Sequence, residues 1–173
     1  MASRRSERSF LRRTLDREQI SQLLWAAQGV TRRGLRTAPS AGALYPLEIY
    51  LVTSEGIHHY LPQSHELERI VEGEILSQLA RAALDQGCVG EAPANIVIAA
   101  VYQRTERRYG DRGPRYVWIE AGHVAQNIHL QAVAMGLGSV PVGAFDDGQV
   151  HRVLSLPEDQ MPLYIIPVGY AAE

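Results

Sequence analysis

One stretch limits the fold of this chain more than any other. From Tyr116 to Met135, the residues Val117, Ala121, Val124, Ala125, Ile128, Ala132 and Met135 recur at the spacing of a single helical stripe. Trp118, Ile119, Val133 and Ala134 add apolar surface on other faces, and Glu120 is the only formal charge between Tyr116 and Gly138. A helix that is apolar nearly all round must be covered on most sides. With 173 residues, about one ordinary domain, the chain is too small to provide that cover alone, so a second subunit is expected to help. Two His, two Gln and one Asn in the same stretch argue against a membrane span.

The remaining elements alternate between helices and strands. Asp16 reads as an N-cap with Gln19 three residues on, and Ile20, Leu23, Leu24 and Ala27 follow at helical spacing up to Gly29. Residues 37–46 form a loop of small residues bounded by two prolines. Glu48–Thr53 and Ile57–Leu61 read as strands joined at Ser54-Glu55-Gly56, a hairpin. Ile75–Leu84 reads as a helix. Asn95–Tyr102 is almost continuous in Val, Ile and Ala, as in a strand buried on both faces. After the long helix come a short strand and loop over 138–145, a short helix capped by Asp146 or Asp147, and a last strand over 163–168. Pro167 suggests an edge or a bend in that strand. The class is α+β around a mixed sheet, as one domain spanning 1–173 with no internal repeat.

Much chemistry is excluded. The net charge of −2 gives no reason to expect nucleic-acid or anionic-membrane binding. Cys88 stands alone, so there is no internal disulfide and no cysteine-rich metal site, and a reducing cytoplasm suits the chain. The arginines near the N-terminus lack the apolar stretch that an export signal requires. No Gly-x-Gly-x-x-Gly follows a strand, and neither a phosphate loop nor a Gly-x-Ser-x-Gly elbow occurs. The six His are scattered, and His58 and His59 point to opposite faces of a strand, so no metal site is expected. A cofactor that brings its own redox chemistry is what remains.

Three blocks carry a resemblance. The first is Arg4-Arg5-Ser6-Glu7-Arg8, the second Pro39-Ser40-Ala41-Gly42-Ala43-Leu44-Tyr45-Pro46, and the third Gly136-Leu137-Gly138-Ser139-Val140-Pro141-Val142-Gly143-Ala144. Together they resemble the nitroreductase superfamily and, within it, the branch of SagB-type dehydrogenases. The resemblance implies the nitroreductase fold: a central, mainly antiparallel sheet flanked by helices, in an intertwined homodimer with FMN at the interface. It implies that Arg4, Arg5, Ser6 and Arg8 hold the FMN phosphate and ribityl chain, chemistry that guanidinium forks and a hydroxyl suit. It implies that Pro39, Ser40, Ala41 and Gly42 pack on the ring bound by the partner. Pro141, Val142, Gly143 and Ala144 would line the opposite face of the ring.

The long helix adds Glu120, His123 and Asn127 on one face, either as a satisfied buried network or as part of a substrate site. The chain also departs from the family's pattern. Gly143 stands where many members carry an acidic residue near the nicotinamide site. No cation follows the last strand, which leaves the phosphate to the N-terminal arginines, with Arg36 or Arg104 as further candidates. Arg108-Tyr109 stands where the azoline-forming members have Lys-Tyr, and arginine is a poor base, so Tyr109 is the candidate catalytic acid or base. Three functions follow from the resemblance: NAD(P)H-dependent reduction of nitro or quinone-type acceptors, SagB-type dehydrogenation of a peptide azoline or similar molecule with oxygen as acceptor, and flavin binding without turnover.

Overall fold

The computed structural model describes residues 2–172. Its order is α1 (Arg17–Gln28), β1 (Leu47–Thr53), β2 (Gly56–Leu61), β3 (Glu66–Glu72), α2 (Leu76–Ala82), α3 (Gly87–Glu91), β4 (Ala94–Ala100), α4 (Gln103–Tyr109), α5 (Gly113–Ala134), β5 (Gly138–Ser139), α6 (Asp147–Val153) and β6 (Met161–Gly169). The six strands form one sheet in the order β3-β2-β1-β4-β6-β5. Every ladder between them is antiparallel. The one parallel pairing is an isolated bridge between Ser6 and Ser139.

The strand alternation sorts the core into two layers. Leu47, Ile49, Leu51, Ile96, Ile98, Ile166 and Val168 pack with α1 and α5. Tyr50, Val52, Val97, Ala99 and Ile165 point to the other face, against residues of α2, α3 and α6. β4 is buried at all seven positions, as its unbroken apolar run requires. Asp16 caps α1 with a full capping box to Gln19, and Asp146 caps α6 by accepting from the Gln149 N–H. β1 and β2 pair as the expected hairpin, with Thr53 opposite Gly56.

Some boundaries differ from the sequence expectation. α5 begins at Gly113 with Pro114 in its first turn, where a missing N–H costs nothing. β3 carries no apolar alternation and is exposed at six of its seven positions. It is a strand because it pairs with β2. β6 is not an edge strand, for it lies between β4 and β5. Pro167 is tolerated because its carbonyl accepts from Val140 N–H at 3.3 Å. Its nitrogen therefore faces the two-residue β5 side, and the β4 ladder loses no bond. Among the described residues no helix is long and apolar enough to cross a membrane.

α5 is only partly covered. Val117, Val124 and Ile128 are fully buried, while Trp118 is 61% and Ile119 50% exposed. With Arg115, Gly122, His123 and Gln126 also exposed, these residues form a stripe along one side of the helix.

Candidate active site

The first and third sequence blocks meet. The extended N-terminal segment lies beside β5, where Glu7 N–H donates to Ser139 O at 3.0 Å. Gly138 makes this approach possible, because a Cβ there would stand 2.6 Å from Glu7 Cγ. Alternation along an extended segment puts Arg4, Ser6 and Arg8 on one side and Arg5 and Glu7 on the other. Arg5 pairs with Glu7. Arg4 and Arg8 have no ion-pair partner among the described residues. Arg4 lies near His129, which is buried and hydrogen-bonded to Ser139 Oγ at 2.8 Å. Burial, helped by the Arg4 charge, lowers the His129 pKa and keeps the imidazole neutral. Arg8 lies toward α3, where its charge opposes the upward push of burial on the Cys88 thiol. A cavity of about 490 Å³ opens between Arg4, Arg5, Glu7, Val133, Leu137 and Ala171; Ser6 and Arg8 do not line it.

The strand-to-loop segment after β5 is tied down at three places. Val142 and Ile165 exchange both backbone bonds, Asp146 N–H donates to Ala82 O, and Gln86 Nε2 donates to Ala144 O at 2.7 Å. The N–H groups of Gly143 and Ala144 make no hydrogen bond among the described residues. Both residues are exposed, whereas Val142 is buried and Pro141 half-buried. The donor set suits a flavin: two guanidinium groups without ion-pair partners and a serine for a phosphate, and two N–H groups without acceptors among the described residues for ring heteroatoms.

The second block sits elsewhere. Pro39 O accepts from His123 Nδ1 at 3.2 Å, and Ser40 Oγ accepts from Tyr45 N–H at 2.9 Å. Gly42 has φ +62, and a Cβ there would stand 2.8 Å from Tyr109 Oη and 3.1 Å from Arg108 Nη1. Tyr109 is wedged by an edge-on contact with Tyr116 at 4.9 Å. The loop is thus packed with the candidate acid–base residue. Its contact on α5 is His123, whereas the N-terminal cavity reaches Val133, ten residues and about 15 Å further along the helix. Within one chain the Pro39–Gly42 loop makes no hydrogen bond to the other two blocks.

Glu120, His123 and Asn127 prove to be engaged by the protein. Glu120 accepts from Gln28 Nε2 at 3.2 Å, and Asn127 donates to Ala26 O at 3.1 Å. Arg36 donates to Gln28 Oε1 at 3.1 Å and stacks over Tyr45. Arg104 pairs with Glu48 and donates to Tyr45 O. Both cations are therefore occupied on the loop's side, away from Arg4. Gln28 and Gln86 escaped the sequence reading. Gln28 had a visible signal, a polar residue on the same turn-spaced face as Leu24; Gln86 had none.

A larger cavity, about 660 Å³, lies between α1 and the β1–β2 hairpin and contains none of these blocks. It holds a linked Ser21, His65 and Tyr60, with Ser21 Oγ 2.7 Å from His65 Nε2 and Tyr60 Oη 2.7 Å from His65 Nδ1. Tyr60 is 1% exposed, has no other partner, and its pKa is pushed up to about 12 by burial. Its hydroxyl must donate to Nδ1, so Nε2 carries the proton and donates to Ser21. His65 is not a base for Ser21, and the trio is no nucleophilic triad.

Comparison with known proteins agrees with the geometry. The family model described as the nitroreductase family matches residues 1–170. A protein of Methanocaldococcus jannaschii that carries the name nitroreductase is 46% identical, over 100% of this chain and 90% of its own length. The Escherichia coli microcin synthetase McbBCD complex, solved with truncated pro-MccB17 bound, contains a chain 26% identical with a TM-score of 0.86, covering 98% of this chain and 70% of that one. The NADPH:FMN oxidoreductase of Vibrio harveyi, solved with NAD+, is 25% identical with a TM-score of 0.73, covering 98% of this chain and 66% of that one. The fold is that of the family, and these likenesses support a flavin oxidoreductase. This chain belongs to the nitroreductase family.

Proposed function

We propose that two copies of this chain form a homodimer with two FMN sites and catalyse two-electron transfer from NAD(P)H to nitro or quinone-type acceptors. Each site takes Arg4, Ser6, Arg8 and Pro141–Ala144 from one copy and Pro39–Gly42 from the other. One observation carries this reading. Arg4 and Arg8, in the segment that runs beside Ser139, have no ion-pair partners and the Gly143 and Ala144 N–H groups no acceptors among the described residues, while the loop that would close the site lies about 15 Å along α5 in the same chain. The exposed stripe around Trp118 and Ile119 supports a partner copy along that helix.

Bound FMN supplies hydride chemistry at its N5. The chain's own residues do the rest. Arg4, Ser6 and Arg8 bind the phosphate by charge-assisted bonds. Val142 and Gln86 hold the segment that carries the unpaired Gly143 and Ala144 N–H groups. The small side chains of Ala41 and Gly42 admit a flat ring at close range and exclude water from its face. Tyr109, fixed beside Gly42, is placed to hold or deliver a proton at Oη. Gly143, in place of an acidic residue, leaves the donor side uncharged and open.

A second reading is favoured by the position of Tyr109 against the loop and by the likeness to the microcin synthetase complex: dehydrogenation of a peptide azoline or similar heterocycle with oxygen as acceptor. The absorption spectrum of the purified protein, followed by anaerobic NADH and NADPH, separates the two. Yellow protein that bleaches supports the reductase. Yellow protein that neither donor bleaches moves the assignment to the dehydrogenase. Colourless protein that also takes up no added FMN overturns both.

A further inference from the structure

Helix α4 lays two polar groups against the loop that would close over the flavin. The point where a Cβ of Gly42 would stand is 2.8 Å from Tyr109 Oη, 3.1 Å from Arg108 Nη1 and 3.3 Å from Arg108 Cζ. A guanidinium and a phenol therefore lie side by side on the Gly42 backbone. Arg108 Cζ is 5.6 Å from the centre of the Tyr109 ring, and that ring is held edge-on by Tyr116. Arg108 is an exposed residue, yet its head group is folded back on the loop at contact distance. A side chain at position 42 would push it aside, and glycine leaves the room. Among the described residues Arg108 has no ion-pair partner, and neither its guanidinium nor Tyr109 Oη makes a hydrogen bond.

Positive charge is concentrated around this place. Residues 103–116 hold Arg104, Arg107, Arg108, Arg112 and Arg115 against Glu106 and Asp111, in a chain of net charge −2. Of the five arginines, Arg104 alone is ion-paired among the described residues, with Glu48. In the reading above the FMN phosphate is taken by Arg4, Ser6 and Arg8 of the other copy. The cation at Gly42 is left for a different anion.

We propose, on the basis of that flavin site, that Arg108 is the specificity-determining residue for the acceptor: it binds a carboxylate carried on the ring of an aromatic nitro or quinone-type acceptor. A guanidinium fork takes a carboxylate through two parallel N–H bonds. That contact sets the acceptor ring over Gly42, beside the Tyr109 hydroxyl. NAD(P)H is anionic too, but its phosphates are separated from the nicotinamide ring by a ribose, whereas Arg108 touches the loop that packs on the flavin ring itself. The anion that reaches Arg108 is one attached close to the reacting group. Because Arg108 is exposed, salt screens it, and its effect is about tenfold.

The test compares two acceptors of similar shape, 4-nitrobenzoate and 4-nitrobenzyl alcohol, on the full-length protein with FMN. The ratio of kcat/KM for the carboxylate to that for the alcohol is expected to fall as salt is added. Arg108→Gln is expected to lower the ratio about tenfold, mostly through KM for 4-nitrobenzoate. Arg108→Lys should restore part of it, and Arg108→Glu should lower it further than Arg108→Gln. Stopped-flow reduction of the flavin by NADPH and NADH reads the donor instead. If Arg108→Gln slows only that step, Arg108 serves the donor's phosphates and the acceptor assignment falls. A second readout needs no turnover: in NMR titrations benzoate, but not benzyl alcohol, is expected to shift the Gly42 backbone amide, and the shift should vanish in Arg108→Gln. A selectivity ratio that Arg108→Gln and Arg108→Glu leave unchanged, or a Gly42 amide indifferent to benzoate, would overturn the proposal. Failure of the wild-type protein to bind FMN or to reduce either acceptor would instead strike the flavin reading, and the benzoate titration would still decide whether Arg108 takes a carboxylate.

Discussion

Two regions along α5 carry opposite kinds of half-site. Around β5, which follows the helix, Arg4 and Arg8 have no ion-pair partners and the Gly143 and Ala144 N–H groups no acceptors among the described residues. Beside the middle of the helix, the Pro39–Gly42 loop has Pro39 O tied to His123 and Ser40 Oγ to the Tyr45 N–H. Groups left unpaired at a surface await a ligand, whereas groups tied from beneath form a preorganised wall. One half supplies affinity and the other supplies shape. Neither is a site alone.

The comparison can be broken at several points. Arg4→Ala with Arg8→Ala should have the largest effect. Each lost charge-assisted bond weakens FMN binding roughly 10- to 100-fold, and a fluorescence titration would show this. Gly42→Val forces a β-branched residue into φ +62 against Tyr109, an arrangement that costs about 1–2 kcal/mol in backbone strain. Turnover should fall about tenfold while the phosphate half still binds FMN. Tyr109→Phe should slow anaerobic flavin reduction by NAD(P)H less than about threefold, because general acid–base catalysis contributes 100-fold or more only where it is used. A loss of tenfold or more would place Tyr109 in the donor half-reaction. Arg5→Ala should have the smallest effect, under about threefold in FMN affinity, because Arg5 is engaged by Glu7 on the other side of the segment and mostly exposed. An Arg5 effect as large as that of Arg4 would erase the distinction between the two sides.

Much of this was legible in the sequence. The apolar run of β4, the capping box at Asp16 and the helical stripe from Val117 to Met135 are local patterns, and local patterns survive folding. β3 was not legible, since its residues are exposed and their strand character comes from β2. The helical seven residues before Gly110 are short and bury only Thr105, so no periodicity marks them. The meeting of Arg4–Arg8 with Ser139 joins segments more than 130 residues apart, and only the resemblance brought them together in advance. The occupation of Arg36 and Arg104 by Gln28 and Glu48 depends on tertiary geometry that no spacing reveals.

The central claim is that each site is shared between two copies, and subunit mixing tests it most directly. The Arg4→Ala/Arg8→Ala variant is unfolded and refolded together with Gly42→Val at equal concentrations, and turnover is measured at an FMN concentration that fills wild-type sites but leaves those of the arginine variant empty. Random pairing in a two-fold symmetric dimer leaves about one quarter of all sites with native residues on both sides, so activity should rise to about a quarter of wild type, well above the average of the two variants alone. Activity that stays at that average would place the whole site within one chain and contradict the account.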